Sequence, residues 1–489
     1  MKIAIVGMGV AGISVLREIK NVLNQGKRMD VDIVVFSNRD QYGTGMPYQK
    51  DDEALLINQY TDTMTIDPSD SEDFLKWVTK YKGPEHQEKP HLPRKWFGEY
   101  LSDRLKEWSR ELTMNVIYED VQSMHALSDG RIKLKSATRQ EIVDGVHLAI
   151  GHSPYADPYR LKGLPGYIYH PYPFESQLKL ENQSGTVGII GTRLTAMDAM
   201  LFLQRHYPET NIAFLSLDKR FSSVRGHHVP LHLSQEEKEQ FKQTLIDKKD
   251  ALTFEDVKEA FSQLATKKGI NVKHMCTEFG QGSLDSMRHE LNHLDELGRF
   301  QQFISQLKET FPYIWWTLPK KEKVLFKNKY EEQFLNFKIP VTEEAVRSLI
   351  QSVDQKKIAI YSHIQSIKRR DDRFEVNCEN GDQFTVDVLI NATGQSTNLY
   401  YSLDLHQPLI KQLIEEGFIV PYPYGGVKID YPSMSAIDRR GRIRSTFKVY
   451  GQLASGVQYG NTNVDMVSKS AEVGVRDMMD VLVKRKTKR

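Results

Sequence analysis

Two stretches of this chain run from a short apolar segment through a glycine into a longer segment with apolar residues at helical spacing. The first is Lys2 to Val6, followed by Gly7, Gly9 and Gly12, with Ile13, Leu16, Ile19 and Leu23 then falling on one helical face. This order predicts a buried parallel strand, a G-x-G-x-x-G turn and a helix, the order a dinucleotide site requires. Gly7 would allow the tight turn. Gly9 would let backbone approach a pyrophosphate at the helix N-terminus, and Gly12 would let helix and strand pack closely. With no Lys/Arg cluster ahead of it and no small-residue cleavage site, the run is not expected to be a signal peptide. A second apolar run, Val31 to Phe36, predicts the next strand. It ends in Ser37, where a dinucleotide site normally carries an acidic residue, so a hydroxyl replaces the carboxylate that takes the ribose.

The pattern returns at Val187 to Ile190, which leads into Gly191 and a helix carrying Thr195 and Asp198. Here Arg193 stands in place of the second glycine. Its side chain would either crowd an approaching pyrophosphate or pair with phosphate through its guanidinium. The following strand, Asn211 to Leu217, ends in Asp218, Lys219 and Arg220. A basic pair there suits a 2′-phosphate and NADPH, or else is a pair of solvated loop charges. From Leu233 to about Ser352 helical periodicity dominates and prolines thin out, which predicts a helical insertion. Strands return at Ile358 to Tyr361, Phe374 to Cys378 and Asp387 to Ile390, the last leading into Ala392-Thr393-Gly394. The chain closes with Val449 to Gly456 and Asn461 to Ala471, a strand, a glycine loop and a helix.

Composition narrows the class. The 489 residues suffice for two or three domains, and 39% hydrophobic with 27% charged content is ordinary for a soluble globular chain. A formal net charge of +2 gives no global field for nucleic acid, and the basic end Lys484 to Arg489 suits a solvated terminus. Two cysteines, Cys276 and Cys378, are too few and too far apart for a C-x-x-C redox centre and fit a reducing compartment. No apolar run reaches a membrane span, so a cytoplasmic location is expected. Arg225-Gly226-His227-His228 has no spaced partner, and no metal site is expected.

Between the first two predicted strands and the rest lie Y-G-T-G-M-P-Y, Tyr42 to Tyr48, and L-L-I-N, Leu55 to Asn58, followed by Met64. In this order the motifs resemble the FAD-NAD(P)-binding family of bacterial flavoproteins, related to flavin-dependent N-hydroxylating and Baeyer–Villiger-type monooxygenases. The resemblance implies an α/β fold with two Rossmann-like dinucleotide-binding domains and an α-helical insertion. It implies FAD, and with it NADPH, as cofactors. Gly45, Pro47, Tyr48, Asn58 and Met64 would line the flavin. Arg94 matches an arginine at a helix start, or is a surface arginine, and Val121 would meet adenine through its backbone. Gly191, Arg193 and Thr195 would form the nicotinamide-nucleotide turn. Thr393 and Gly394 would lie near the FAD pyrophosphate, and Gly456, Thr462 and Asn463 would place a helix N-terminus at the flavin. Where the family has a basic Arg-His-Arg triplet, this chain has Asn336-Phe337-Lys338, keeping at most one cation.

The implied domains are a discontinuous FAD-binding domain over 1–155 and 390–489, an NAD(P)-binding-like domain over 156–232 and 353–389, and the helical insertion over 233–352. Val388 to Asn391 is then expected in the same sheet as Lys2 to Val6. The implied function is an FAD-dependent oxidoreductase, an NADPH-using monooxygenase acting on a small-molecule substrate. A flavin reductase or oxidase with a closed nicotinamide site, or a non-catalytic flavin-bound module, is the alternative. No acid–base pair stands out as catalytic, and the oligomeric state is not legible.

Overall fold

The computed structural model describes residues 1–25, 30–180, 185–216, 220–396, 398–402, 408–459 and 463–487. The chain divides into two compact units, Met1–Pro154 with Gln395–Arg489, and Tyr155–Gly394.

In the first unit one sheet runs in the order Ile429–Asp430, Ser435–Ile437, Ile443–Val449, Gly145–Leu148, Lys2–Val6, Asp32–Phe36, Met114–Ile117. The five strands from Ile443–Val449 to Met114–Ile117 are parallel. Ile3, Ala4 and Ile5 have no exposed surface on either face, which is why the first strand reads as an unbroken apolar run. Helices Val10–Asn24 and Val464–Lys486 pack together. The Ser14 and Ser468 hydroxyls meet at 3.0 Å, and Arg476 donates to the buried Glu18 at 2.7 Å. An antiparallel sheet of Ser123–Ala126, Ile132–Lys135 and Gln140–Val143 precedes the strand Gly145–Leu148.

The second unit repeats this plan. Its parallel sheet runs Ile358–Tyr361, Asn211–Leu215, Thr186–Ile190, Val388–Asn391, Tyr167–Ile168. An antiparallel sheet of Ile364–Arg370, Arg373–Cys378 and Gln383–Val386 precedes Val388–Asn391. Each unit therefore places the strand that leads into its glycine turn between the next strand of the chain and a strand that follows a three-stranded meander. The fold is α/β with two Rossmann-like sheets, as the sequence led us to expect.

One expectation is corrected. Val388–Asn391 lies in the second sheet, not with Lys2–Val6. Asp387 N–H donates to Thr186 O at 2.8 Å and Ala392 N–H to Ile190 O at 2.9 Å, so the strand closes the second unit's own ladder. The neighbour of Gly145–Leu148 in the first sheet is Ile443–Val449 instead. Residues 390–394, expected in the FAD domain, accordingly belong to the second unit.

Helices from Gln235–Ile246 to Glu343–Asp354 separate the second unit's strands Asn211–Leu215 and Ile358–Tyr361. Ser234 and Thr253 close capping boxes on two of them. Glu290, with no exposed surface, ties this segment down: it accepts from Val224 N at 2.7 Å, Gly280 N at 2.8 Å, Ser223 Oγ at 3.0 Å and Ser286 Oγ at 3.1 Å. Four donors make the buried charge tolerable.

His147 sits fully buried on Gly145–Leu148, its Nδ1 2.9 Å from the Tyr450 hydroxyl, and its Nε2 has no partner among the described residues. Burial, aided by the Lys448 ammonium, pushes its pKa from 6.5 down to about 3. The folded state holds the ring neutral where the unfolded chain takes a proton. Stability should therefore be full above about pH 6.5 and fall as pH drops toward about 3, at up to ~1.4 kcal/mol per pH unit. Chemical denaturation across this range should show that acid limb in the wild type and a shallower one in His147→Gln; equal slopes would contradict the assignment.

Candidate functional site

The two glycine turns are built alike. Gly7 has φ +94° and Gly191 φ +118°, a backbone region open to glycine. Gly7 N–H donates to Phe36 O at 2.7 Å and Gly191 N–H to Leu215 O at 2.8 Å, the last residues of the adjacent second strands. A Cβ on Gly7 would stand 2.2 Å from Ala149 O, and one on Gly191 2.5 Å from Ala392 O. In each unit, then, the turn is clamped between two neighbouring strands.

Each turn ends at a helix whose N-terminus has no side-chain cap. Gly9 begins Val10–Asn24 and Arg193 begins Leu194–His206. Neither residue caps through its side chain, and neither first turn carries an acid. In the insertion the helices that start at Gln235, Phe254, Val272 and Leu284 are capped by Ser234, Thr253, Asn271 and Ser283, while those that start at Leu294, Phe311, Lys320, Glu331 and Glu343 have no side-chain cap. Bare N–H groups and a favourable dipole suit a phosphate. Thr195, half-buried, lies in the first turn of the second of these helices.

The first turn has a second wall. Gly43 N–H donates to Met8 O at 2.8 Å, and a Cβ on Gly45 would lie 3.2 Å from the Gly9 Cα. The room left at Gly9 is thus taken by the backbone of the loop containing Gly45, Pro47 and Tyr48. Gly98, within helix Arg94–Ser109, lets this loop settle, since a Cβ there would stand 1.8 Å from Tyr48 O. The Tyr48 ring packs 4.7 Å from Phe97. Burial pushes the Tyr48 phenol up to about 12, against the opposing pull of Arg94, so it remains a donor at neutral pH. Arg94 Nε donates to Leu56 O and Arg94 N–H to Leu55 O, both at 2.9 Å, bracing the segment that leads to Asn58. Met64 is buried and Asn58 half-buried.

The remaining expected residues are more dispersed. Ser37 is buried at the end of Asp32–Phe36 and donates to Asn38 O at 3.3 Å. Val121 is buried just ahead of Ser123–Ala126. A Cβ on Gly456 would meet Gly425 O at 2.1 Å. Asn463 begins Val464–Lys486, which carries Asp465 in its first turn. Thr393 and Gly394 lie at the end of the second unit, just after Ala392, with Thr393 Oγ1 2.7 Å from Asn391 Oδ1.

Around the second turn, Arg193 donates to Asn336 Oδ1 at 3.3 Å, and Arg220 pairs with Glu332. Thr192 Oγ1 donates to Arg220 O, which holds residue 220 beside the turn. Lys219 and Thr462 lie outside the described residues. Burial, with Lys308 nearby, pushes the Lys338 amine down to about 7, so this cation is only partly charged at neutral pH.

Sequence reasoning missed Gly98 and Glu332, and named Asn336 only as a residue standing where the family has an arginine. An interior helix glycine costs about 1 kcal/mol and was the available signal for Gly98; Glu332 carries no local mark.

These features define a dinucleotide-binding fold of flavoprotein type. Residues 4–153, which hold the first turn and its loop, match the model of a family described as FAD-NAD(P)-binding. FAD and a nicotinamide nucleotide are the cofactor class it describes. Over 218 residues the chain is 27% identical to the uncharacterized protein YdhS of Escherichia coli (strain K12), a match spanning 41% of this chain and 39% of that protein. Among solved structures the chain is similar to the ornithine hydroxylase PvdA of Pseudomonas aeruginosa, with TM-score 0.60 and 13% identity over 98% of this chain and 99% of that one. It is also similar to the bacillithiol disulfide reductase Bdr of Staphylococcus aureus, with TM-score 0.53 and 12% identity over 98% of each chain. At these identities the likeness is one of fold. Among the described residues no helix is long and apolar enough to cross a membrane.

Gly9→Asp would force a carboxylate against Gly45 and oppose an anion at the helix N-terminus. The variant should purify without flavin absorbance while keeping wild-type far-ultraviolet circular dichroism; full flavin content would refute the assignment of this turn.

Proposed function

We propose that the protein is an FAD-dependent oxidoreductase that takes electrons from NADPH and acts as a monooxygenase on a small molecule. The observation carrying this reading is the duplicated turn: two clamped glycine turns with uncapped helix N-termini, one per unit, offer two separate seats for dinucleotide phosphates. The first seat, with Gly7, Gly9, Gly12 and the Gly45–Tyr48 loop, suits FAD, in line with the family match over 4–153. The second, flanked by Arg193 and Arg220, suits NADPH. FAD would supply the redox and oxygen chemistry. The chain's own part is to seat phosphates on bare amides, to keep Tyr48 protonated and to hold guanidinium groups at the second turn.

Several structures sharing the fold support oxygenation, PvdA among them, while Bdr points to disulfide reduction. A dithiol route through this chain has no support. Cys276 lies in helix Val272–Glu278 and Cys378 on strand Arg373–Cys378, neither in a disulfide, and burial raises the Cys276 thiol. Two cysteines in 489 residues also favour a reducing, cytoplasmic setting.

Purified protein should be yellow, and NADPH should bleach it under nitrogen faster than NADH does. Colourless protein, or flavin unresponsive to NADPH, would overturn the proposal. Arg193→Gly should weaken NADPH binding about 10- to 150-fold, through loss of one charge-assisted contact. Tighter binding by this variant would show that the arginine plugs the seat and would favour the reductase or oxidase reading.

A further inference from the structure

We propose that Glu332 determines how far the second turn discriminates NADPH from NADH, by holding the Arg220 guanidinium that a 2′-phosphate requires. The inference rests on the nicotinamide-nucleotide reading of that turn. Helix Glu331–Lys338 carries Glu332 and Asn336 four residues apart, hence on one face. That face meets both arginines of the turn, Glu332 pairing with Arg220 and Asn336 accepting from Arg193.

The two contacts differ in kind. Asn336 is 1% exposed, and its Nδ2 donates to Gly280 O at 3.0 Å. Gly280 N–H is in turn held by the buried Glu290 at 2.8 Å. This end of the helix is therefore fixed, and Arg193 is oriented by a rigid acceptor. Arg220 and Glu332 have side chains 51% and 39% exposed, so their pairing is weak and open to exchange. Glu332 Oε1 is buried without a hydrogen-bond partner among the described residues, so only one carboxylate oxygen serves the arginine. A phosphate monoester brings more charge and three acceptor oxygens to the same guanidinium. NADPH would displace Glu332 from Arg220 and meet residual repulsion from it. NADH, with no 2′-phosphate, would leave the pair intact. Glu332 thus lowers NADPH affinity and leaves NADH affinity unchanged.

The test is to titrate NADPH and NADH separately against wild type, Glu332→Gln, Arg220→Ala and the double variant. Glu332→Gln should bind NADPH about 2- to 5-fold tighter, the range of an exposed ion pair, with NADH unchanged. The gain should vanish in the Arg220→Ala background. If wild type binds NADPH and Glu332→Gln does not improve it, the inference is wrong. It is equally wrong if the gain extends to NADH or survives loss of Arg220. If neither wild type nor any variant binds either nucleotide, the nucleotide reading of the turn fails and takes this inference with it.

Discussion

The contact on which the rest depends is a bare glycine backbone pressed against a carbonyl of the neighbouring strand. Gly7 against Ala149 and Gly191 against Ala392 leave no room for a Cβ. Each contact requires the strand before the turn to sit between the next strand of the chain and the strand that follows the meander. That order in turn sends the chain from the end of an interior strand straight into a helix with no side-chain cap. Strand order, turn shape and anion seat therefore follow from one steric condition, met twice.

The two seats diverge in what surrounds them. At the first, backbone packs on backbone: Gly9 meets Gly45, and Gly98 admits Tyr48. Little charge is spent there, and specificity must come from shape and from the loop leading to Met64. At the second, Arg193 occupies the place a glycine would take, and a helix of the insertion engages it and Arg220 together. Fixed cations reward phosphate but add bulk, so this seat is polar, crowded and adjustable by its neighbours. Such a division suits a tightly held cofactor in one unit and an exchanging nucleotide in the other.

Much of this was legible in the sequence. The strands Lys2–Val6 and Thr186–Ile190, with their glycines, could be read because buried parallel strands are continuous apolar runs and glycine turns are local chemistry. The helical insertion showed in its periodicity. The placement of Val388–Asn391 did not, because an apolar strand followed by Ala-Thr-Gly has no local feature that names its sheet, and each unit offers an equivalent slot. Nor did the roles of Glu332 and Asn336, since a glutamate and an asparagine on a polar helix gain meaning only from the arginines that tertiary structure brings to them.

The central claim is that one chain holds two independent dinucleotide seats. It is tested most directly by measuring FAD content and NADP⁺ binding stoichiometry on the same sample of purified holoprotein. The account predicts one FAD and one NADP⁺ per chain, with saturating NADP⁺ releasing no FAD. Displacement of FAD by NADP⁺, or FAD-saturated protein that takes up no NADP⁺, would contradict it.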